Sequence, residues 1–131
     1  MTVVDTNIVA HMVMPGYPAG RVLEAFRKDP EWIAPYLWRP EFRNVLVSAV
    51  RFAHLSPVDA GKLMMSPEAL LAGRLYAVSS GKVINLAADS GCSAYDAEFI
   101  VLAQETGVPL LTLDKDIYRK FPRHAILPED R

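Results

Sequence analysis

An α/β sandwich, three layers deep with a short and mainly parallel central sheet, is the fold this sequence predicts. Two observations predict it. Short apolar runs bounded by turn formers alternate with longer stretches of helical periodicity. Acidic residues stand where such runs end, and the carboxyl ends of strands are where open α/β sheets bind ligands.

The elements follow in chain order. Thr2 to Val4 is a short buried strand, and Asp5-Thr6-Asn7 turns the chain into a helix over Asn7 to Val13. Pro15-Gly16-Tyr17-Pro18 stops that helix. Ala19 to Lys28 is a second helix, with Val22, Leu23 and Phe26 on one face and Asp29-Pro30 after its end. Trp32-Ile33-Ala34 is a second strand between prolines. A long helix follows with Pro40 in its first turn and Phe42, Val45, Leu46 and Ala49 as its apolar face. Ser56 caps the next helical stretch, Val58 to Leu71, and Ser66-Pro67 predicts a stop or kink inside it. Leu75 to Val78 is a third strand, Ser79-Ser80-Gly81 a turn, and Val83 to Asp89 a short helix. Ser93 to Thr106 is the clearest helix, ended by Gly107. Leu110 to Leu113 is a fourth strand, Asp116 to Lys120 a helical turn, and Ala125 to Leu127 a last strand.

Bulk composition narrows the function classes. With 131 residues, 51% hydrophobic and 22% charged, the chain fits one globular domain, expected over 1–131. A net charge of −1 gives no overall attraction to nucleic acid, so any such binding must use a local basic patch. One cysteine, Cys92, allows no disulfide framework within the chain. Met1 leads straight into a strand pattern and no apolar run reaches a membrane span, so a cytoplasmic protein with no membrane role is expected.

Four acids carry the candidate chemistry: Asp5, Glu41, Asp96 and Asp114. Each also has a structural reading. Asp5 and Asp114 suit helix N-caps. Glu41 suits a first turn, where the helix dipole favours a negative charge by about 0.3–1 kcal/mol. Asp96, three residues after Ser93, has the spacing of a capping box. Arg39 and Arg43 flank Glu41 but point about 200° away from it around the helix, whereas Asn44 shares its face. What favours a joint role is position. In a parallel sheet the helices start at one edge, so the four acids converge there without an obvious cation beside them. Two carboxylates about 4 Å apart repel by about 1 kcal/mol even in water. A hard divalent ion relieves this, and an all-oxygen donor set favours Mg2+ or Mn2+. His11, His54 and His124 are scattered and suggest no zinc site.

The ordered set Asp5-Thr6-Asn7, Glu41 with Asn44-Val45-Leu46, Ser93-Ala94-Tyr95-Asp96-Ala97 and Leu111-Thr112-Leu113-Asp114 resembles the PIN domain family, specifically VapC-type toxin ribonucleases. The resemblance runs from residue 3 to about residue 122. It implies a PIN-like sandwich and an endoribonuclease that hydrolyses RNA with Mg2+ or Mn2+, leaving a 5′-phosphate and a 3′-hydroxyl. It also implies a small antitoxin partner and a homodimer. Under it, Asp5, Asp96, Asp114 and Glu41 are catalytic residues and metal ligands. Thr6, Asn7, Asn44, Thr112 and Asp116 are supporting or phosphate-facing residues. Arg39, Arg43, Lys115, Arg119, Lys120 and Arg123 are candidate RNA contacts, the last four grouped beside the Asp114 edge. Trp38 or Tyr95 could stack a base, although aromatics at helix starts are more often core. Val22, Leu23, Phe26, Met64 and Met65 are either ordinary core or part of an apolar groove for an antitoxin helix. The alternatives are a PIN-type RNA-processing nuclease without an antitoxin, a non-catalytic α/β module of receiver type with Asp5 or another strand-end Asp as phosphate acceptor and Thr112 and Lys115 as its companions, and an inactive binding module that kept the fold.

Overall fold

The computed structural model describes residues 1–131. Five strands form one sheet in the order β3-β2-β1-β4-β5, every neighbouring pair parallel. They are β1 (Thr2–Val4), β2 (Trp32–Pro35), β3 (Leu75–Tyr76), β4 (Leu110–Leu111) and β5 (Ala125–Ile126). Successive residues of a strand face opposite sides of the sheet. All of β1, β2 and β4 is nonetheless buried, so helices cover both faces and the sandwich has three layers. α7 (Ala94–Thr106) lies against β1, β2 and β4, with α6 (Ser80–Ser90) beside it. α1 (Thr6–Val13) meets α2 (Gly20–Lys28), α3 (Trp38–Phe52) and α5 (Met65–Leu71), and α5 rests on β2. α4 (Pro57–Leu63) follows α3, and α8 (Lys115–Lys120) links β4 to β5.

The sheet is parallel throughout, as the alternation of short strands and helices predicts, and its order decides between fold alternatives. Receiver-type modules run 2-1-3-4-5, whereas this sheet runs 3-2-1-4-5. The receiver-like alternative is therefore set aside. The chain changes its direction of travel across the sheet between β1 and β4, so the crevice at their carboxyl ends is the ligand position the topology provides.

Several elements differ from expectation for identifiable reasons. The kink expected at Ser66-Pro67 lies one turn earlier, at Met64 between α4 and α5. A proline lacks the donor for residue i−4 and its ring crowds that carbonyl; for Pro67 that residue is Leu63, the last of α4. Ser79-Ser80-Gly81 is no turn. Ser79 caps α6, its hydroxyl accepting from the Lys82 amide at 3.4 Å, so the helix starts three residues earlier than its apolar pattern. β3 and β4 are two residues each, shorter than their apolar runs, because partner strands end alongside them. No helix is long and apolar enough to cross a membrane.

The core holds the ligand edge in place. Trp32, Trp38, Phe42, Ile8, Ile100 and Leu111 are fully buried in one cluster. Burying each such side chain contributes about 1.5–3 kcal/mol. That is larger than the mutual repulsion of a solvated acid pair, so the scaffold tolerates a costly charge arrangement at its edge.

Candidate active site

Each acid is placed by a separate local device. Asp5 ends β1, where its amide still continues the ladder to the Leu111 carbonyl at 3.3 Å. Its Oδ1 accepts from the Ile8 amide at 3.0 Å, which caps α1, and its Oδ2 accepts from the Thr112 hydroxyl. Thr112 is fully buried and its hydroxyl also accepts from the Asp114 amide at 3.0 Å, so one hydroxyl ties the ends of β1 and β4 together. Asp114 caps α8 through Oδ1, which accepts from the Asp116 and Ile117 amides at 2.8 and 3.2 Å. Glu41 sits in the first turn of α3 and accepts from the buried Thr6 hydroxyl at 2.7 Å. At Asp96 only half of the capping box forms. The Ser93 hydroxyl accepts from the Asp96 amide at 3.0 Å, while the Asp96 carboxylate accepts no backbone amide and is engaged only by the Ser93 hydroxyl. The cap of α7 is thus made by Ser93 and the Asp96 amide.

Asp5, Glu41, Asp96 and Asp114 line one cleft of about 550 Å3, together with Thr6, Asn7 and Asn44. The acids form a ring of like charges. Burial pushes the Asp5 carboxyl up to about 6 from the ordinary 3.8, with Asp114 and Glu41 adding to the rise. Burial also raises Glu41, and the charge of Asp96 adds to it. Burial raises Asp96, with Asp114 adding and the Ser93 hydroxyl and Lys120 opposing. None of the four forms a salt bridge.

The donor chemistry fits a hard divalent cation: oxygen atoms only, anionic and without a salt-bridged cation. The arrangement is open, for no three acidic, histidine or cysteine side chains converge into a metal-holding cluster. Hydrogen bonds from the Ile8 amide and from the Thr112 and Thr6 hydroxyls fix the Asp5 and Glu41 carboxylates. Such a site suits an ion that keeps several of its waters, as Mg2+ does.

The other candidates divide. Asn44 shares the Glu41 face, as helix geometry requires. Arg39 and Arg43 are elsewhere: Arg39 lies 3.5 Å from Glu68, and Arg43 lines a groove between α3 and α4. Asp116 is paired with Arg119 at 2.6 Å and is exposed, so the amide of Asp116, rather than its carboxylate, serves the site. Lys115 and Lys120 are exposed on α8 beside Asp114. Arg123 is not beside Asp114. It lines a hollow with Pro109 and His124, which precede β4 and β5, so it lies at the amino edge of the sheet. Trp38 is fully buried and is no stacking platform, whereas Tyr95 is exposed in the cleft wall. Val22 and Met64 are core, Leu23 and Phe26 are half-buried, and Met65 alone of that group is exposed. Sequence reading missed Glu98, a half-buried acid raised by burial whose charge reaches Glu41. Its signal is an acid set in the apolar stretch Ala97 to Ala103.

The charge ring predicts an unusual stability profile without metal. Between the ordinary 3.8 and about 6 the folded chain holds a proton on Asp5 that the unfolded chain releases. Stability should therefore rise as pH falls from about 7.5 to about 5. Asp29 has the opposite sign. Hydrogen bonds from the N-terminal ammonium and Thr2, together with the ammonium's charge, hold it down at about 2, so its contribution is lost below 3.8. Thermal midpoints in EDTA should peak near pH 3.8, where the two windows meet. A midpoint that falls steadily from pH 7.5 downward would contradict a repulsive acidic ring.

Solved structures share this fold. The chain superposes on PAE2754 from Pyrobaculum aerophilum with a TM-score of 0.79 at 18% identity, over 98% of this chain and 91% of that one. It matches FitAcB from Neisseria gonorrhoeae, whose FitB is a PIN-domain toxin, at TM-score 0.75 and 17% identity over 100% of both chains. It matches a toxin–antitoxin complex from Klebsiella pneumoniae at 0.73 and 15% over 98% of both. No protein-family model and no curated protein matches the sequence.

Proposed function

We propose that this chain is a metal-dependent endoribonuclease and the toxin of a toxin–antitoxin pair. The observation that carries the catalytic part is the ring of four carboxylates around an open cleft, with no salt-bridged cation, at the switch point of the sheet. Such a ring is unfavourable unless a cation enters it. Asp5, Asp96 and Asp114 are the ligands, with Glu41 completing the shell directly or through water. Mg2+ or Mn2+ bound there supplies Lewis-acid polarisation of the scissile phosphate and a more acidic water. The chain's own residues do the rest. Thr112 aims the Asp5 carboxylate and joins it to the Asp114 backbone. Thr6 orients Glu41, whose raised carboxyl suits it to orient the attacking water and take its proton. Lys115 and Lys120 are placed to attract phosphates on the α8 side. The toxin part, with a small antitoxin and self-association, rests on the likeness to FitAcB and the Klebsiella complex.

With end-labelled RNA, cleavage is expected in Mg2+ or Mn2+ and should fall to background in EDTA, returning on metal re-addition. Equal cleavage in EDTA would remove the metal mechanism.

A further inference from the structure

The acidic cleft opens along α3 into a second hollow of about 460 Å3, between the end of α1 and the second half of α3. Asn44 and Val45 line both spaces, so the two are continuous. Glu41, Asn44, Ser48 and Phe52 recur at the three- and four-residue steps that share one helix face. At 1.5 Å per residue, Phe52 lies about 16 Å beyond Glu41 along that face. The other wall comes from the loop after α1. There the Tyr17 ring stands edge-on to His11 at 5.1 Å between centroids, and His11 Nδ1 lies 3.0 Å from the Pro18 carbonyl. His54 lines the hollow too, and it alone among the non-glycine residues has a positive φ, at 60°. The Leu55 amide donates back to the Ala49 carbonyl at 3.3 Å, so α3 ends by turning through His54 in the left-handed region. Glycine is favoured at such a turn, and α6 and α7 end on Gly91 and Gly107 in that conformation. Local strain of this kind is characteristic of binding and active sites.

We propose that this hollow seats one base beside the cleaved bond, and that His54 and Ser48 select which base it accepts. The proposal rests on the ribonuclease reading and adds the place where sequence is read. No Lys, Arg, Asp or Glu lines the hollow, so it is built for an uncharged group and not for a phosphate. An unpaired base is a flat ring with donors and acceptors along its edge, recognised by aromatic faces together with hydrogen-bonding side chains. The lining holds both kinds. Tyr17 and Phe52 supply rings, and the Ser48 hydroxyl, the His54 imidazole and the Asn44 amide supply donors and acceptors. The apolar face of a partner helix fits less well, because Asn44, Ser48 and His54 interrupt the apolar lining. Continuity through Asn44 sets the seat next to Glu41, so a base held there fixes which bond lies over the acids. The imidazole explains why a residue other than glycine occupies the left-handed turn.

The test uses the full chain in two assays. Random-sequence RNA is crosslinked to it by ultraviolet light in EDTA, and the crosslinks are mapped by peptide mass spectrometry. An RNA library randomised around the cut site is cleaved in Mg2+ and sequenced. Crosslinks are expected on Tyr17, Phe52 or His54. His54→Gly should raise the thermal midpoint by about 2–4 °C, through relief of the left-handed turn, yet reduce the base preference at one position beside the cut about fivefold or more. Phe52 is 83% exposed, so Phe52→Ala should melt like the parent while weakening crosslinking and raising KM about fivefold or more. A more stable His54→Gly variant with the parent's base preference overturns the selection and reduces His54 to a helix end. Crosslinks confined to other faces, or a parent-like KM in Phe52→Ala, overturn the seat and leave the hollow to a protein partner. Crosslinks in the hollow that Phe52→Ala removes, without cleavage by the parent, would sink the ribonuclease reading and leave the base seat standing.

Discussion

Replacing Asp96 by Asn should lower RNA cleavage at least about a hundredfold while leaving the metal-free chain as stable as before or more stable. The size of the loss follows from metal sites in general, where even outer partners of the ligands cost about 10–100-fold. The stability expectation follows from the hydrogen bonds. The Asp96 carboxylate caps no backbone amide, and the cap of α7 is made by the Ser93 hydroxyl and the Asp96 amide, both kept in the variant. Removing one member of the ring also relieves repulsion on Glu41, whose carboxyl Asp96 helps to raise. Melting in EDTA beside single-turnover cleavage in Mg2+ separates the two effects. A clear fall of the metal-free midpoint would return Asp96 to a structural role, and cleavage within a few-fold of the parent would remove it from the mechanism. Asp5→Asn is a less clean experiment. Both oxygens of Asp5 accept hydrogen bonds, so an amide there must reverse its bond with Thr112.

Thr112→Val is expected to cost about 1–3 kcal/mol and to move the acid limb of the cleavage profile to higher pH. The substitution keeps the side-chain shape at a fully buried position and deletes only the hydroxyl. Asp5 loses a donor and the Asp114 amide loses an acceptor, and buried polar groups left unpaired cost in that range. The pH shift has a definite sign. The Thr112 hydroxyl favours the ionised form of Asp5 against the upward push of burial, so without it the carboxyl rises beyond about 6. Fewer chains then carry Asp5 ionised near neutral pH. Thr112→Ser should restore both properties, because the hydroxyl returns. A Val variant with unchanged midpoint and unchanged profile would show the hydroxyl to be idle.

Most of the architecture was legible because each element carries its own punctuation. Ser56-Pro57, Ser93 and Asp114 announce helix starts, and Gly91 and Gly107 end helices at positive φ of 77° and 69°. The break between α4 and α5 was legible in kind and displaced by one turn, because a proline acts on the carbonyl four residues before it. Asp5 and Asp114 were legible as strand-end acids, and Asn44 as a face-mate of Glu41, since both inferences need only local geometry. Arg123 was misplaced because its four-residue separation from Arg119 says nothing about the strand edge reached between them. Trp38 is core, as aromatics at helix starts usually are, while the surroundings of Arg39 and Arg43 were not legible because the burial of α3 depends on which neighbours it meets.

Periodicity, caps and strand-end acids thus established an α/β sandwich and the identity of its four acids, since these are properties of a segment and its immediate neighbours. Strand order, the ring that couples Asp114, Asp5, Glu41 and Asp96, and the single hydroxyl of Thr112 that joins β1 to β4 belong to contacts between segments up to 107 residues apart. Such contacts form when burial of the sheet brings the ends of its strands together, and no local pattern encodes which ends will meet.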